Sequence, residues 1–412
     1  MKELSGRVDE ITKMVRKNFD DQVEFLKLLV REPSINNSKE KNEGGEEGVA
    51  QLIKRKLNEL GLNASYLRFK KHRPNVISSW GEQRGRRSLA LIGHMDTAEP
   101  IAGSRSRWFS GEIQDDRLYG VGALDMKATL TAYIFAVKAL RDLKIDPVGR
   151  LKLAFTADGK SEAVSEAGLK FLLKKGFSAK AAILGKQGLG KIATGHRGGY
   201  RFKITTYGQT VDTGRRAWER GLRGKNAIYD MGRIMRLLSN FDLPYKPAKA
   251  FPGRLPVFTF PTKITGGKSI SMVPDKCEAW GDVRLLPGNT DIQVRMWIEE
   301  KLAQVTDIKW EISDILYVPS MEVEKAERLV RILYDSACQV LEKKPKVEGC
   351  GPWNESWMLT CHGMPCIAGF GPEGMNNGEG ETGDEWVSLL SVRQVTEIYA
   401  LVIARYLGSP TS

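Results

Sequence analysis

A histidine and an aspartate stand two residues apart, His94 and Asp96, in the string GHMDT that follows the apolar run Leu89 to Ile92. The run reads as a β-strand, so the pair falls beyond its carboxyl end, where α/β sheets place their ligands. In extended chain, side chains two apart share a face. A second acidic residue, Asp125, lies in the string YGVGALDMK, just ahead of a helical pattern that starts at Ala128. Imidazole and carboxylate groups are the donor types of a zinc site. An isolated His-x-Asp carries little weight; joined to GxGxxDMK it becomes a specific pattern.

The elements that must position these groups alternate along the chain. Val8, Ile11, Met14 and Val15, then Val23, Leu26, Leu29 and Val30, recur at helical spacing and predict one helix from about Lys2 to Arg31, stopped by Pro33. After a polar, glycine-bearing loop come a helix over 49–60, strands over 64–69, 75–79 and 89–92, a helix over 128–143 and a strand over 151–156. This alternation predicts an α/β fold with a mostly parallel sheet covered by helices. Near Gly198 the texture changes. Strands over 200–207, 257–265, 275–285 and about 308–312, with helices over 226–240 and 292–305, are enough for a unit of their own. A long helix over 322–342 and a glycine-rich final third then resume the first pattern. The expected organisation is a larger, discontinuous catalytic-type α/β domain (residues 1–197 and 318–412) with a smaller α+β domain (residues 198–317) inserted.

A chain of 412 residues suits two or three domains and has ample material for a core. No apolar stretch reaches the roughly 18 residues that would span a bilayer, and the charged N-terminus lacks the pattern of a secretory signal, so a cytoplasmic protein without membrane association is expected. Five cysteines without CxxC spacing argue against a cysteine-based zinc site. The net charge of +13 is unusual for an enzyme of small anionic metabolites and would draw the protein toward an acidic partner or RNA. The basic residues are nevertheless spread along the whole chain.

The blocks REPSINN, GHMDT, YGVGALDMK, LKLAFTADGK, IATGHRGGYRFKITTYGQ, ITGGKSISMVPDKCEAWGDVRLLPG and FGPEGMNNGEGETGDEWV stand in this order. With them the chain resembles the zinc exopeptidases and deacylases that include acetylornithine deacetylase, succinyl-diaminopimelate desuccinylase, aminoacylase and the glutamate carboxypeptidases. The resemblance covers most of the chain. It implies a catalytic α/β domain with an inserted lid that often mediates dimers, and two zinc ions sharing a bridging aspartate and a water. On the matching positions it implies His94 as a metal ligand, Asp125 as the bridge and Asp96 as the residue that orients the histidine. Elsewhere the pattern departs. The general-base position is Gly159 and the ligand after it Lys160; a further acidic ligand is replaced by Lys186; the last histidine ligand is Glu381; and the lid histidine that reaches substrate is Asp212. The block that would carry an Asp-Ala-Arg is the run Trp353 to Trp357.

These departures decide the expected chemistry. A lysine ammonium has no lone pair to give a metal, and loss of a general base costs a factor of roughly 10² to 10⁴ in rate. Glu162 or Glu166, shortly after the vacated positions, are the available stand-ins. Carboxylates that lose their metal ions need other cations, which Lys160 and Lys186 would supply with Asp125 as the central acceptor. The leading expectation is a catalytically impaired homologue, a pseudoenzyme without cofactor. It would act by binding a ligand or a partner: a homodimer through the lid, a mixed dimer with an active paralogue, or an acidic or RNA assembly such as the ribosome. The alternative is a metal-dependent deacylase or peptidase cleaving N-acyl amino acids or short peptides, with zinc or cobalt on His94, Asp125 and Glu381.

Overall fold

The apolar repeat at the N-terminus builds two helices instead of one. Helix α1 (Val8–Lys17) and helix α2 (Phe19–Arg31) part at Asn18. Its side-chain amide donates to Asp142 Oδ2 at 2.8 Å and its Oδ1 accepts from Lys138 Nζ at 3.0 Å. A short polar side chain that finds partners outside its own helix gives the backbone an alternative to continuing it. The structure, a computed structural model, describes residues 7–36, 45–82, 87–101, 105–161, 164–376, 378–380 and 383–408. The chain forms two compact units, one of Met1–His196, Val323–Cys350 and Asn354–Ser412, the other of Arg197–Glu322 and Gly351–Trp353.

In the larger unit, α3 (Glu47–Glu59) leads into β1 (Ser65–Lys70), β2 (Arg73–Gly81) and β3 (Ser88–His94); α4 (Ala128–Asp142), β4 (Arg150–Thr156) and β5 (Ala181–Leu184) follow. In the smaller unit, β6 (Gly198–Tyr207), β7 (Val257–Gly266), β8 (Lys276–Leu285) and β9 (Lys309–Val318) form an antiparallel sheet in the order β7-β8-β6-β9. Burial along β8 alternates residue by residue, as a strand with one covered face requires. Helices α5 (Ala227–Leu238) and α6 (Asp291–Leu302) supply the other half of that unit's core, with Met231, Ile234, Val294 and Ile298 packed among Phe202, Ile204 and Val283.

The chain then returns to the larger unit. The helix expected over 322–342 is shorter, α7 (Arg328–Val340), because the chain is still extended at Val323, whose N–H donates to Thr194 O at 2.7 Å. A short strand, β10 (Cys366–Ile367), and the buried α8 (Leu389–Leu407) complete the fold. The larger sheet runs β1-β2-β4-β3-β5-β10. It is mixed: β3, β4, β5 and β10 pair in parallel, whereas β1 and β2 join antiparallel at one edge. Helices α4 and α8 pack on each other and on β3, and a buried Gln22 ties α2 to α8 by donating to Thr396 Oγ1 at 2.8 Å. No helix among the described residues is long and apolar enough to cross a membrane.

The parallel strands bring one glycine into close contact. A Cβ on Gly93, the residue before His94, would lie 2.6 Å from both Met126 Cε and Leu130 Cδ2, and both of those side chains are fully buried. The segment carrying Asp125 therefore lies against β3 only because position 93 has no side chain. Gly93→Ala should lower stability by about 1–3 kcal/mol, the usual cost of overpacking a core; an unchanged urea midpoint would show that the contact yields freely.

Candidate functional site

Parallel strands end together, and the residues at and just beyond their carboxyl ends converge. His94 is the last residue of β3, Gly159 and Lys160 come shortly after β4, and Lys186 shortly after β5. Asp125 arrives from the other side, on a tight turn over 123–127 that precedes α4. Gly122 has a positive φ of 84°, and a Cβ there would meet Thr97 Cγ2 at 2.4 Å, so only glycine fits the entry to that turn.

Asp125 is the hub. Its Oδ1 accepts from Lys186 Nζ at 2.8 Å, its Oδ2 accepts from Lys160 Nζ, and His94 Nε2 lies 3.2 Å from Oδ1. Lys186 Nζ also sits 2.6 Å from His94 Nε2, while His94 Nδ1 lies 2.9 Å from the carbonyl oxygen of Asp96. A carbonyl oxygen can only accept, so Nδ1 carries the imidazole proton and Nε2 offers its lone pair to the Lys186 ammonium. Burial alone would raise the Asp125 carboxyl. The ammonium groups of Lys160 and Lys186 outweigh burial and hold it well below the ordinary carboxylate range. Burial likewise opposes the charge on Lys160, and Asp125 more than restores it, so that ammonium is held above its ordinary value. Two ammonium groups and one carboxylate thus form a hydrogen-bonded cluster in which every side chain is less than a quarter exposed.

Asp96 faces the backbone beyond β4. Its Oδ1 accepts from Gly159 N at 2.8 Å and its Oδ2 from Lys160 N at 2.9 Å and Asn36 Nδ2 at 2.9 Å. It therefore fixes the loop that carries Lys160. Position 159 is closed: a Cβ there would lie 2.3 Å from His94 Cβ and 2.4 Å from its Cγ, so no side chain fits without displacing the histidine. Glu166 is turned away from the cluster and bonded to Lys170. Asp212 lies in the smaller unit, half-buried, with Oδ1 accepting from Gly214 N at 2.9 Å. Glu381 and Glu162 fall outside the described residues.

Several supporting groups carry no local signal in the sequence. Glu385 Oε1 accepts from Leu124 N at 3.0 Å and Asp125 N at 3.1 Å and so holds the turn from behind; in the sequence its string GDEW is no more than a landmark. Buried Glu46 pairs with Arg73 at 2.7 Å, and Arg73 in turn bonds Asn36 Oδ1 at 3.0 Å. Lys127 is fully buried, donates to Glu32 O at 2.8 Å, and is pushed by burial down to about 7. Glu355, 2% exposed, is raised by burial, which the neighbouring Ser165 hydroxyl and the charge of Lys186 offset only in part.

Removing the hub would leave two ammonium groups facing each other. Asp125→Asn should lower stability by up to about 3 kcal/mol, at the low end for breaking a buried pair because the lysines keep some contact with water. Lys160→Met and Lys186→Met in the same chain should recover most of that loss. Equal urea midpoints for Asp125→Asn and wild type would mean that the cluster contributes nothing.

Residues 90–405 match the family model described as peptidase family M20/M25/M40. The chain is 26% identical over 435 residues to N-formyl-4-amino-5-aminomethyl-2-methylpyrimidine deformylase of Bacillus subtilis, with 96% of each chain covered. It is 28% identical over 296 residues to succinyl-diaminopimelate desuccinylase of Cereibacter sphaeroides, covering 69% of this chain and 73% of that one. Among solved structures it is similar to a dinuclear metal-binding peptidase of the M20 family from Bacillus subtilis, with a TM-score of 0.69 at 16% identity over 95% of this chain and 99% of that one. An α/β unit that brings His94 and Asp96 at a strand end together with Asp125 on the turn before α4, and a family match over most of the chain's length, make this chain a member of peptidase family M20/M25/M40.

Proposed function

We propose that this chain is a catalytically impaired member of its family that acts by binding instead of by hydrolysis. One observation carries the reading: the lone pairs that a metal ion would need, on His94 Nε2 and both oxygens of Asp125, already accept from the ammonium groups of Lys160 and Lys186. A dication entering there would have to displace two cations that are hydrogen-bonded to its own ligands. The donor set therefore does not fit the paired metal ions implied by the family. Among the described residues no three His, Cys, Asp or Glu side chains converge in metal-binding geometry.

The closed backbone at Gly159 supports the same reading. In relatives the resemblance places a general base there, and here the space that a side chain would need is filled by the imidazole of His94. Water activation would lack the proton acceptor that the resemblance places at position 159 even with a metal supplied. The cation-for-metal exchange also accounts for Asp125, whose charge is balanced by ammonium groups, while Asp96 is held by backbone and side-chain amides. Homodimerisation through the smaller unit, a mixed dimer with an active paralogue, and attraction to an acidic partner or RNA remain parts of this proposal that rest on the family resemblance and the net charge.

The test is zinc content with turnover. After incubation with zinc and removal of the excess, the protein should hold well under one equivalent, and N-acetyl amino acids with zinc or cobalt should be hydrolysed at the background rate. The double substitution Lys160→Glu with Lys186→Glu should take up zinc that the wild type does not. Full zinc loading of the wild type, with hydrolysis abolished by Asp125→Ala, would instead establish a working metal-dependent deacylase.

A further inference from the structure

At the opposite end of the same strands, a second polar cavity opens on the larger unit. Arg150 and Lys152 stand at the start of β4, two residues apart and so on one face, while Leu151 and Leu153 between and beyond them are buried in the core. Strand β2 runs beside them, with Ser79 directly opposite Lys152. These side chains, together with Ser65, Ile77 and Phe177, line a space of about 230 Å³. Cavities for drug-sized ligands run from about 300 to 1,000 Å³, so an occupant here would be small. Thr156, four residues beyond Lys152, is level with His94. At about 3.3 Å per residue the cavity lies roughly 13 Å or more from the Asp125 cluster.

Here, unlike in the Asp125 cluster, the cations have no carboxylate between them: two cationic side chains share the cavity, and no carboxylate among the described residues lines it. Arg150 Nη2 donates to Ser79 Oγ at 2.8 Å, but its Nε is buried without a partner among the described residues. Lys152 Nζ donates to the carbonyl oxygen of Ser178 and lies over the ring of Phe177 at 5.7 Å. Burial, and then the charge of Arg150, hold the Lys152 ammonium below its ordinary value. Like charges side by side in a partly buried place are a costly arrangement unless an anion compensates them.

We propose that this cavity binds a small phosphate-type oxyanion, free or as the phosphate group of a small monoester. Arg150 offers its guanidinium group, Lys152 its ammonium, and Ser65 and Ser79 hydroxyls. A tetrahedral oxyanion can accept from all of these at once, and a guanidinium with an ammonium is a pairing suited to phosphate. The apolar wall of Ile77 and Phe177 leaves room for a short carbon chain on one side. This site is independent of any metal chemistry at the Asp125 cluster.

Calorimetric titration of the full chain with inorganic phosphate and with glycerol phosphate, near 0.15 M salt so that diffuse attraction is screened, tests it. Saturable binding in the roughly millimolar range or tighter is expected, together with a rise in melting temperature. Arg150→Gln and Lys152→Gln should each weaken it about tenfold or more, the effect of losing one charge-assisted hydrogen bond. Lys152→Gln is the safer variant, since it removes a repulsion and should leave the ligand-free melting temperature equal or higher. Absence of saturable binding by either probe, affinity unchanged in both variants, or binding abolished instead by Lys160→Gln would each overturn the proposal.

Discussion

The carboxylate of Asp125 is the point on which the candidate site turns. A buried carboxylate has to be compensated, and the compensating charge decides what the pocket can do. Here it comes from Lys160 and Lys186, delivered by the loops after the two parallel strands that flank β3. An ammonium group neutralises charge as a metal ion would, but it neither polarises a carbonyl as a Lewis acid nor lowers the pKa of a bound water. In the function proposed above, the same compensation that balances the buried carboxylate takes the place of the metal chemistry that the family resemblance implies.

The surroundings are arranged around that hub. Asp96 accepts backbone N–H groups of Gly159 and Lys160, so the aspartate that orients a ligand histidine by resemblance here anchors the loop that brings in a lysine. Glu385 fixes the turn of Asp125 through two backbone N–H groups. The missing Cβ of Gly159 lets the loop approach the imidazole directly. Each of these contacts favours the ammonium-bearing arrangement over one with a longer side chain at position 159. The cluster is a consistent set, not an isolated substitution.

Much of this is legible in the sequence because it lies at strand ends. The α/β alternation points to the class of fold, and the string positions of His94, Asp125, Lys160 and Lys186 put them beside successive strands and the helix at Ala128. The features that stay hidden depend on partners far away along the chain. Asn18 breaks the first helix because Lys138 and Asp142 receive its side chain, and no local pattern announces that. The Asn36, Glu46 and Arg73 network and the brace from Glu385 are likewise long-range pairings between residues with no spacing in common. The antiparallel edge of the larger sheet arises from the tight β1–β2 connection, which the alternation rule does not address.

The most direct measurement is a crystal structure of the protein grown with excess zinc, with anomalous diffraction recorded at the zinc absorption edge. A pocket held by ammonium groups will show no anomalous peak between His94 and Asp125, and continuous density joining Lys160 Nζ and Lys186 Nζ to the Asp125 carboxylate. Strong paired peaks at that position, with both lysines swung out toward solvent, would contradict it.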